Sequence, residues 1–206
     1  MTTMMKADPV EQLYRATATP RLVHVPAMAF LCIDGHGDPN TSARFADAVQ
    51  ALYSVSYAAK FAIKKASGQD FKVSPLEGLW WADDLGTFRT GEKSDWDWTM
   101  IIRQPEPVTD DLVARLAAEV SAKKSLPAVQ DLRLVTFEEG PAAQVLHLGP
   151  YAAEAPTIER LHAYIHDQGF VFDGHRQKHH EIYLGDPRRA APEKLRTIIR
   201  QPYSPS

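Results

Sequence analysis

The chain has one cysteine, Cys32. No intrachain disulfide can form, so this is not a small secreted domain held by cystines. No run of about 18 apolar residues occurs, which argues against a membrane-spanning helix. The opening stretch, Met1 to Pro20, has no apolar segment of the kind a signal peptide carries. A cytoplasmic location without membrane association is the expectation. An excess of charge of one sign is missing as well: 23 Lys and Arg stand against 26 Asp and Glu, a formal net charge of −3. That balance gives no electrostatic reason to expect a nucleic-acid partner.

Several chemical signatures are also missing. There is no Walker sequence and no G-x-S-x-G nucleophile elbow. The Gly35-His36-Gly37-Asp38-Pro39 stretch lacks the third glycine of a dinucleotide loop and reads as a turn. His162 and His166 are four apart near Glu159, and His179-His180 precede Glu181, but no H-E-x-x-H spacing or cysteine pair supports a metal set. Neither a cofactor nor a metal is expected.

What is present is an ordinary globular composition, 44% hydrophobic and 24% charged, in 206 residues. That length suits one large domain or two small ones. The pentapeptide Ile-Ile-Arg-Gln-Pro occurs twice, at 101–105 and 198–202. Its flanks suggest a duplicated unit. In the first half, Leu22 to Ile33 reads as extended apolar chain. Asn40 or Thr41 can cap a long helix with Phe45, Val49, Leu52, Ser56, Ala59 and Ile63 on one stripe, closed by Gly68. Two strands follow, Phe71 to Trp81 and Trp96 to Pro105, with a polar insertion between them. The second half has a strand pair or bent strand around Gly140-Pro141. Then come a helix with Pro156 in its first turn and Gly169 at its end, and strands at His179–Leu184 and Leu195–Pro202.

The predicted class is α+β, a tandem pseudo-twofold βαββ repeat. Antiparallel sheets carry long helices, with a ligand cleft between the halves. Residues 1–21 read as an extension and 22–206 as the domain. The first unit spans 22–107, a connecting helix 108–125, capped by Thr109, and the second unit 132–206.

Overlaying the halves sets Glu77 against Glu181 and Leu79 against Tyr183. Strand alternation puts Glu181 and Tyr183 on one face and Ile182 on the other; Glu77, Leu79 and Trp81 then share a face and Trp80 opposes them. If helices cover the Ile182 face, Glu181 looks into the cleft, where a desolvated carboxylate marks a functional site. The tryptophans 80, 81, 96 and 98 offer stacking walls or core, and Tyr53, Tyr57 and Tyr151 can reach the same space.

The segments Pro-Leu-Glu-Gly-Leu-Trp-Trp (75–81), Glu-Glu-Gly-Pro-Ala-Ala-Gln-Val-Leu-His-Leu-Gly-Pro-Tyr (138–151), His-His-Glu-Ile-Tyr-Leu-Gly-Asp-Pro (179–187) and both pentapeptides resemble the GyrI-like small-molecule-binding family. The resemblance runs from about Leu22 to the C-terminus. It implies a tandem βαββ fold that binds flat, lipophilic, often cationic molecules against a buried glutamate, here Glu181. Some family members are effector-binding halves of multidrug-sensing regulators. The resemblance further implies, for some stand-alone members, hydrolysis of strained cyclopropanes in DNA-alkylating natural products. In that reading Glu181 is the general base on water and Tyr183 a donor to the carbonyl, with Glu77 as a second candidate. The ligand-binding set is then Glu77, Leu79, Trp81, Tyr53, Tyr151, Glu181 and Tyr183. Docking on a protein partner is a third reading, which nothing in the charge pattern favours.

Overall fold

The computed structural model describes residues 10–84, 92–187 and 189–206. The strands are β1 (Arg21–Val25), β2 (Met28–His36), β3 (Leu76–Trp81), β4 (Asp97–Gln104), β5 (Arg133–Phe137), β6 (Gly140–Leu148), β7 (Phe170–Val171), β8 (His179–Tyr183), β9 (Arg196–Pro202) and β10 (Ser204–Pro205). The helices are α1 (Ala43–Ser67), α2 (Asp110–Lys124) and α3 (Ala155–Asp167). Eight strands form one antiparallel sheet in the order β1-β6-β9-β8-β3-β4-β2-β5, while β7 and β10 pair separately. From the centre the order runs β3-β4-β2 on one side and β8-β9-β6 on the other. The sheets expected of the two halves are thus one continuous sheet, joined where β3 pairs with β8.

Local chemistry accounts for the helix ends. The α1 cap is Ser42, whose Oγ accepts from Phe45 N at 3.3 Å, rather than Asn40 or Thr41. Gly68 ends α1 with φ +76°, a conformation that favours glycine. Thr109 caps α2 as its sequence suggests, and Pro156 occupies the first turn of α3. The Leu22–Ile33 stretch is two strands, split at Pro26, which pair with different neighbours: β1 with β6, and β2 with β4 and β5. The polar insertion before β4 falls largely outside the described residues.

Cross-strand partners share a face. One row therefore runs Ile33–Met100–Gly78–Glu181–Ile199–Val145 across six strands. Ile33 and Met100 pack with α1 and α2 residues, and Ile199 and Val145 pack with Leu161 and Ile165 of α3. The helices thus stand on the Glu181 face, not on the Ile182 face. α1 packs on β2 and β4, and α3 on β6 and β9. The central strands β3 and β8 floor a furrow between the helices.

The opposite face holds a buried ionic network, covered by Leu13 and Tyr14. His180 presents Nε2 to Glu77 Oε2 at 3.0 Å and Nδ1 to Glu139 Oε1 at 2.8 Å. Both contacts call for N–H donors, so the ring is an imidazolium. Arg200 donates to Glu139 Oε2 at 3.0 Å, to Gln144 Oε1 and to Leu13 O, while Tyr14 donates to Glu77 Oε1 at 2.7 Å. Burial disfavours charge on Glu139, yet the His180 and Arg200 charges hold its carboxyl down at about 2. Burial likewise opposes the His180 charge, but Glu139 and the hydrogen bonds to both carboxyls raise it to about 9.

His180→Ala leaves buried partners uncompensated and is expected to cost about 3–5 kcal/mol in urea unfolding. The His180 contribution is complete below its ordinary value of 6.5 and is lost as pH rises through about 9. That of Glu139 is complete above 4.5 and lost as pH falls through about 2. Urea midpoints of the wild type should drop from neutral pH toward about pH 9 and drop less in His180→Ala; equal slopes would contradict this assignment.

Candidate functional site

Strand alternation on β8 places His179, Glu181 and Tyr183 along the furrow floor. Glu181 is anchored at both oxygens. Tyr183 donates to Oε2 at 2.7 Å, and His179 Nε2 lies 3.2 Å from Oε1. The Tyr183 hydroxyl in turn accepts from Trp80 Nε1 at 3.1 Å. Gly78 lies beneath this junction: a Cβ there would sit 2.7 Å from Trp80 Nε1 and 3.1 Å from Tyr183 Oη. A glycine on β3 is therefore what lets the tyrosine and tryptophan meet over the strand.

The walls are aromatic. Trp80 stacks with Phe45 at 6.1 Å and meets Trp96 edge-on at 5.8 Å. Tyr151 meets Tyr183 edge-on at 5.6 Å, and Tyr53 stacks on Tyr57 at 6.3 Å. The side chain of Glu181 is only 15% exposed. Burial alone would push its carboxyl up, but the hydrogen bonds and charge of His179 and the Tyr183 hydroxyl bring it below the ordinary carboxylate range.

Glu154 stands beside it, at the start of α3, and is 4% exposed. Burial, then the Glu181 charge, push its carboxyl up to about 9. Two neighbouring carboxyls thus divide their roles, with Glu181 ionised and Glu154 protonated at neutral pH. Tyr151 is pushed up to about 12 by burial and by the charges of Glu181, Glu154 and Asp186. His162 is held down at about 4 by burial and by the nearby His179 and His166. His162 and His166 flank the Phe172 ring, at 4.6 and 5.7 Å. Among the described residues no group of three His, Cys, Asp or Glu side chains could hold a metal ion.

The sequence matches the GyrI-like small-molecule-binding domain over residues 18–203. The chain belongs to the GyrI-like family. An uncharacterised conserved protein from Listeria innocua has a similar structure, with 37% identity over 94% of this chain and 96% of that one and a TM-score of 0.86. A hydrolase from Listeria innocua is 36% identical over 95% and 96% of the two chains, with a TM-score of 0.81. The C-terminal domain of EcmrR shares the fold at 11% identity, covering 91% and 98%, with a TM-score of 0.53. No curated protein matches the sequence.

In this GyrI-like domain Glu181, Tyr183, Tyr151 and Tyr53 come together. Glu77, Leu79 and Trp81 do not join them. Leu76 pairs with Ile102 and Glu181 with Ile199, and these two isoleucines occupy the same place in the repeated pentapeptide. Register therefore carries Leu76, not Glu77, onto Glu181, and a slip of one residue moves a side chain to the other face. Glu77 is fully buried in the ionic network. Leu79 and Trp81 line a separate hollow of about 880 Å³ on that opposite face, where Lys178 Nζ lies 3.2 Å from the Trp81 ring centroid. Trp80, expected to point away, is the tryptophan beside Glu181. The proton of the Tyr183 hydroxyl is engaged with Glu181, so this side chain holds the carboxylate rather than a substrate carbonyl.

Sequence reasoning missed Glu154 and the anchoring by His179. The signal for Glu154 was slight: a glutamate just before the Ala-Pro opening of α3, indistinguishable from an ordinary first-turn acid. Removing the Tyr183 hydroxyl should raise the Glu181 carboxyl and cost about 1–3 kcal/mol, since Trp80 Nε1 loses its acceptor. Carboxyl-carbon NMR titration and urea unfolding of Tyr183→Phe check both effects; an unmoved Glu181 titration would contradict the anchoring role.

Proposed function

We propose that the furrow binds a flat, lipophilic, cationic small molecule. Glu181 opposes its positive charge, and Trp96, Tyr151 and Tyr53 provide stacking surfaces. The observation that carries this reading is a buried carboxyl fixed at both oxygens by His179 and Tyr183 at the floor of an aromatic-walled furrow. Each cation–aromatic contact contributes about 0.5–2 kcal/mol, depending on how far it is desolvated. A charge-assisted contact with Glu181 adds about 1.5–3 kcal/mol. Ethidium is a suitable probe because it is flat and carries a permanent charge. Its binding should quench tryptophan fluorescence. Glu181→Gln should weaken it roughly tenfold or more; saturating quenching of equal affinity in both proteins would refute the assignment of Glu181.

A second reading is supported by the likeness to the Listeria innocua hydrolase and by the oppositely shifted carboxyls Glu181 and Glu154. Here the substrate carries an activated cyclopropane, as the GyrI-like resemblance implies. Glu181 takes a proton from water, and the oxygen attacks a ring carbon. The strained C–C bond breaks toward the conjugated carbonyl, and Glu154 supplies the proton that neutralises the resulting anion. General-base removal costs roughly 100- to 10,000-fold. Incubation of a cyclopropane-bearing alkylator should yield a product heavier by one water in mass spectrometry, with Glu181→Gln slower by at least about 100-fold. Unchanged turnover in that variant removes Glu181 as base.

A further inference from the structure

Glu154 Oε1 is buried and makes no hydrogen bond to any described residue. Thr197 Oγ1, on the neighbouring β9 strand, is likewise buried and acts on the Glu154 carboxyl, lowering it. Buried polar oxygens are almost always satisfied, so an orphaned carboxyl oxygen beside an anchored carboxylate requires an explanation. Glu181 has both oxygens engaged by the protein, whereas Glu154 has one free. The start of α3 should favour a carboxylate at this position through its dipole, yet burial and the adjacent Glu181 charge oppose it. The uncharged form of Glu154 is thus set by burial and by the Glu181 charge, and one added positive charge reverses it.

We propose that Glu154 is a second binding carboxyl of the furrow, and that the site takes a cation bearing N–H donors in exchange for the Glu154 proton. This rests on the binding reading above. The free oxygen accepts a donor from the ligand. The ligand charge, placed between two carboxyls, favours ionised Glu154 over its protonated form. Amines and amidinium-like groups on an aromatic frame meet both needs, whereas a cation without N–H groups meets only the electrostatic one.

Other charged groups surround the pair. Lys93 acts on Glu154 from the segment before β4. His179 and Tyr183 lie on β8, Tyr151 on the turn before α3, and Tyr53 on α1, with Asp186 beyond β8. His180 is raised to about 9 as well, but it lies on the other face of β8. Its titration is common to wild type and to Glu154 variants.

The sign follows from linkage. Free Glu154 holds its proton until pH passes about 9. A cation in contact lowers a carboxyl by roughly 1–3 pKa units. Ligand binding at about pH 8 should therefore release roughly 0.4–0.9 proton, and affinity should rise roughly five- to forty-fivefold between about pH 7 and about pH 9.

The test uses ethidium, which bears two amino groups and a pH-independent charge. Isothermal calorimetry at pH 8 in buffers of different ionisation enthalpy counts the protons released. Glu154→Gln keeps the shape and a donor–acceptor pair but cannot ionise. It should bind ethidium with no proton release and a flattened pH profile. N-methylacridinium, flat and charged but without N–H groups, should bind more weakly than ethidium, with a smaller loss on going to Glu154→Gln. Binding of ethidium with no proton release by the wild type, or the same release by Glu154→Gln, overturns the proposal while leaving the binding reading intact. Absence of ethidium and acridinium binding at every pH overturns both.

Discussion

The site depends on a charge network on the opposite face of the sheet. His180 bonds Glu77 on β3 and Glu139 before β6, and Arg200 on β9 bonds the same Glu139. These contacts cross the sheet centre, where the halves of the chain meet. A strand pair at such a junction could slip by one residue, and slippage would exchange the two faces of β8. A slipped register would strand buried charge, which costs several kcal/mol. The network thereby specifies that His180 faces inward, and Glu181 is delivered to the furrow as its neighbour in the chain.

Two buried acidic clusters on opposite sides of one sheet follow opposite logic. On the network side positive groups match the carboxyls, and Glu139 is held at about 2. On the furrow side Glu181 and Glu154 have His179 and the more distant Lys93 for compensation, and Glu154 is held at about 9. The first arrangement is complete in itself and stabilises the fold. The second is left short of positive charge, and this shortage is the basis of the cation binding proposed above. Helices α1 and α3 each pack on their own half of the sheet and flank the furrow, and Glu181 and Glu154 are buried enough between them for the shortage to matter.

Much of this was legible in the chain. Pro156, Gly68 and Thr109 mark helix ends through backbone constraints that act within a few residues, so they could be placed without tertiary information. The repeated pentapeptide pointed to β4 and β9 because strand residues and a terminal proline have local signatures. Glu181 and Tyr183 stood out as a charged and a polar residue in an apolar strand. The errors shared a different origin. The Glu77–Glu181 overlay failed by one residue, a difference to which composition is blind but which strand parity amplifies into opposite faces. Trp80 and Trp81 were exchanged for the same reason. Glu154 was overlooked because the charge state of a helix-start glutamate is decided by neighbours from β8 and β9.

The chain by itself determined the element types, their order and the identity of one buried carboxylate, because periodicity, caps and turns are properties of neighbouring residues. Only the tertiary structure decided which face each strand residue presents, that Glu77 balances His180 while Glu154 joins Glu181, and that the two halves share a single sheet. Those outcomes depend on cross-strand register and on the field of charges distant in sequence, and both exist only once the strands have paired.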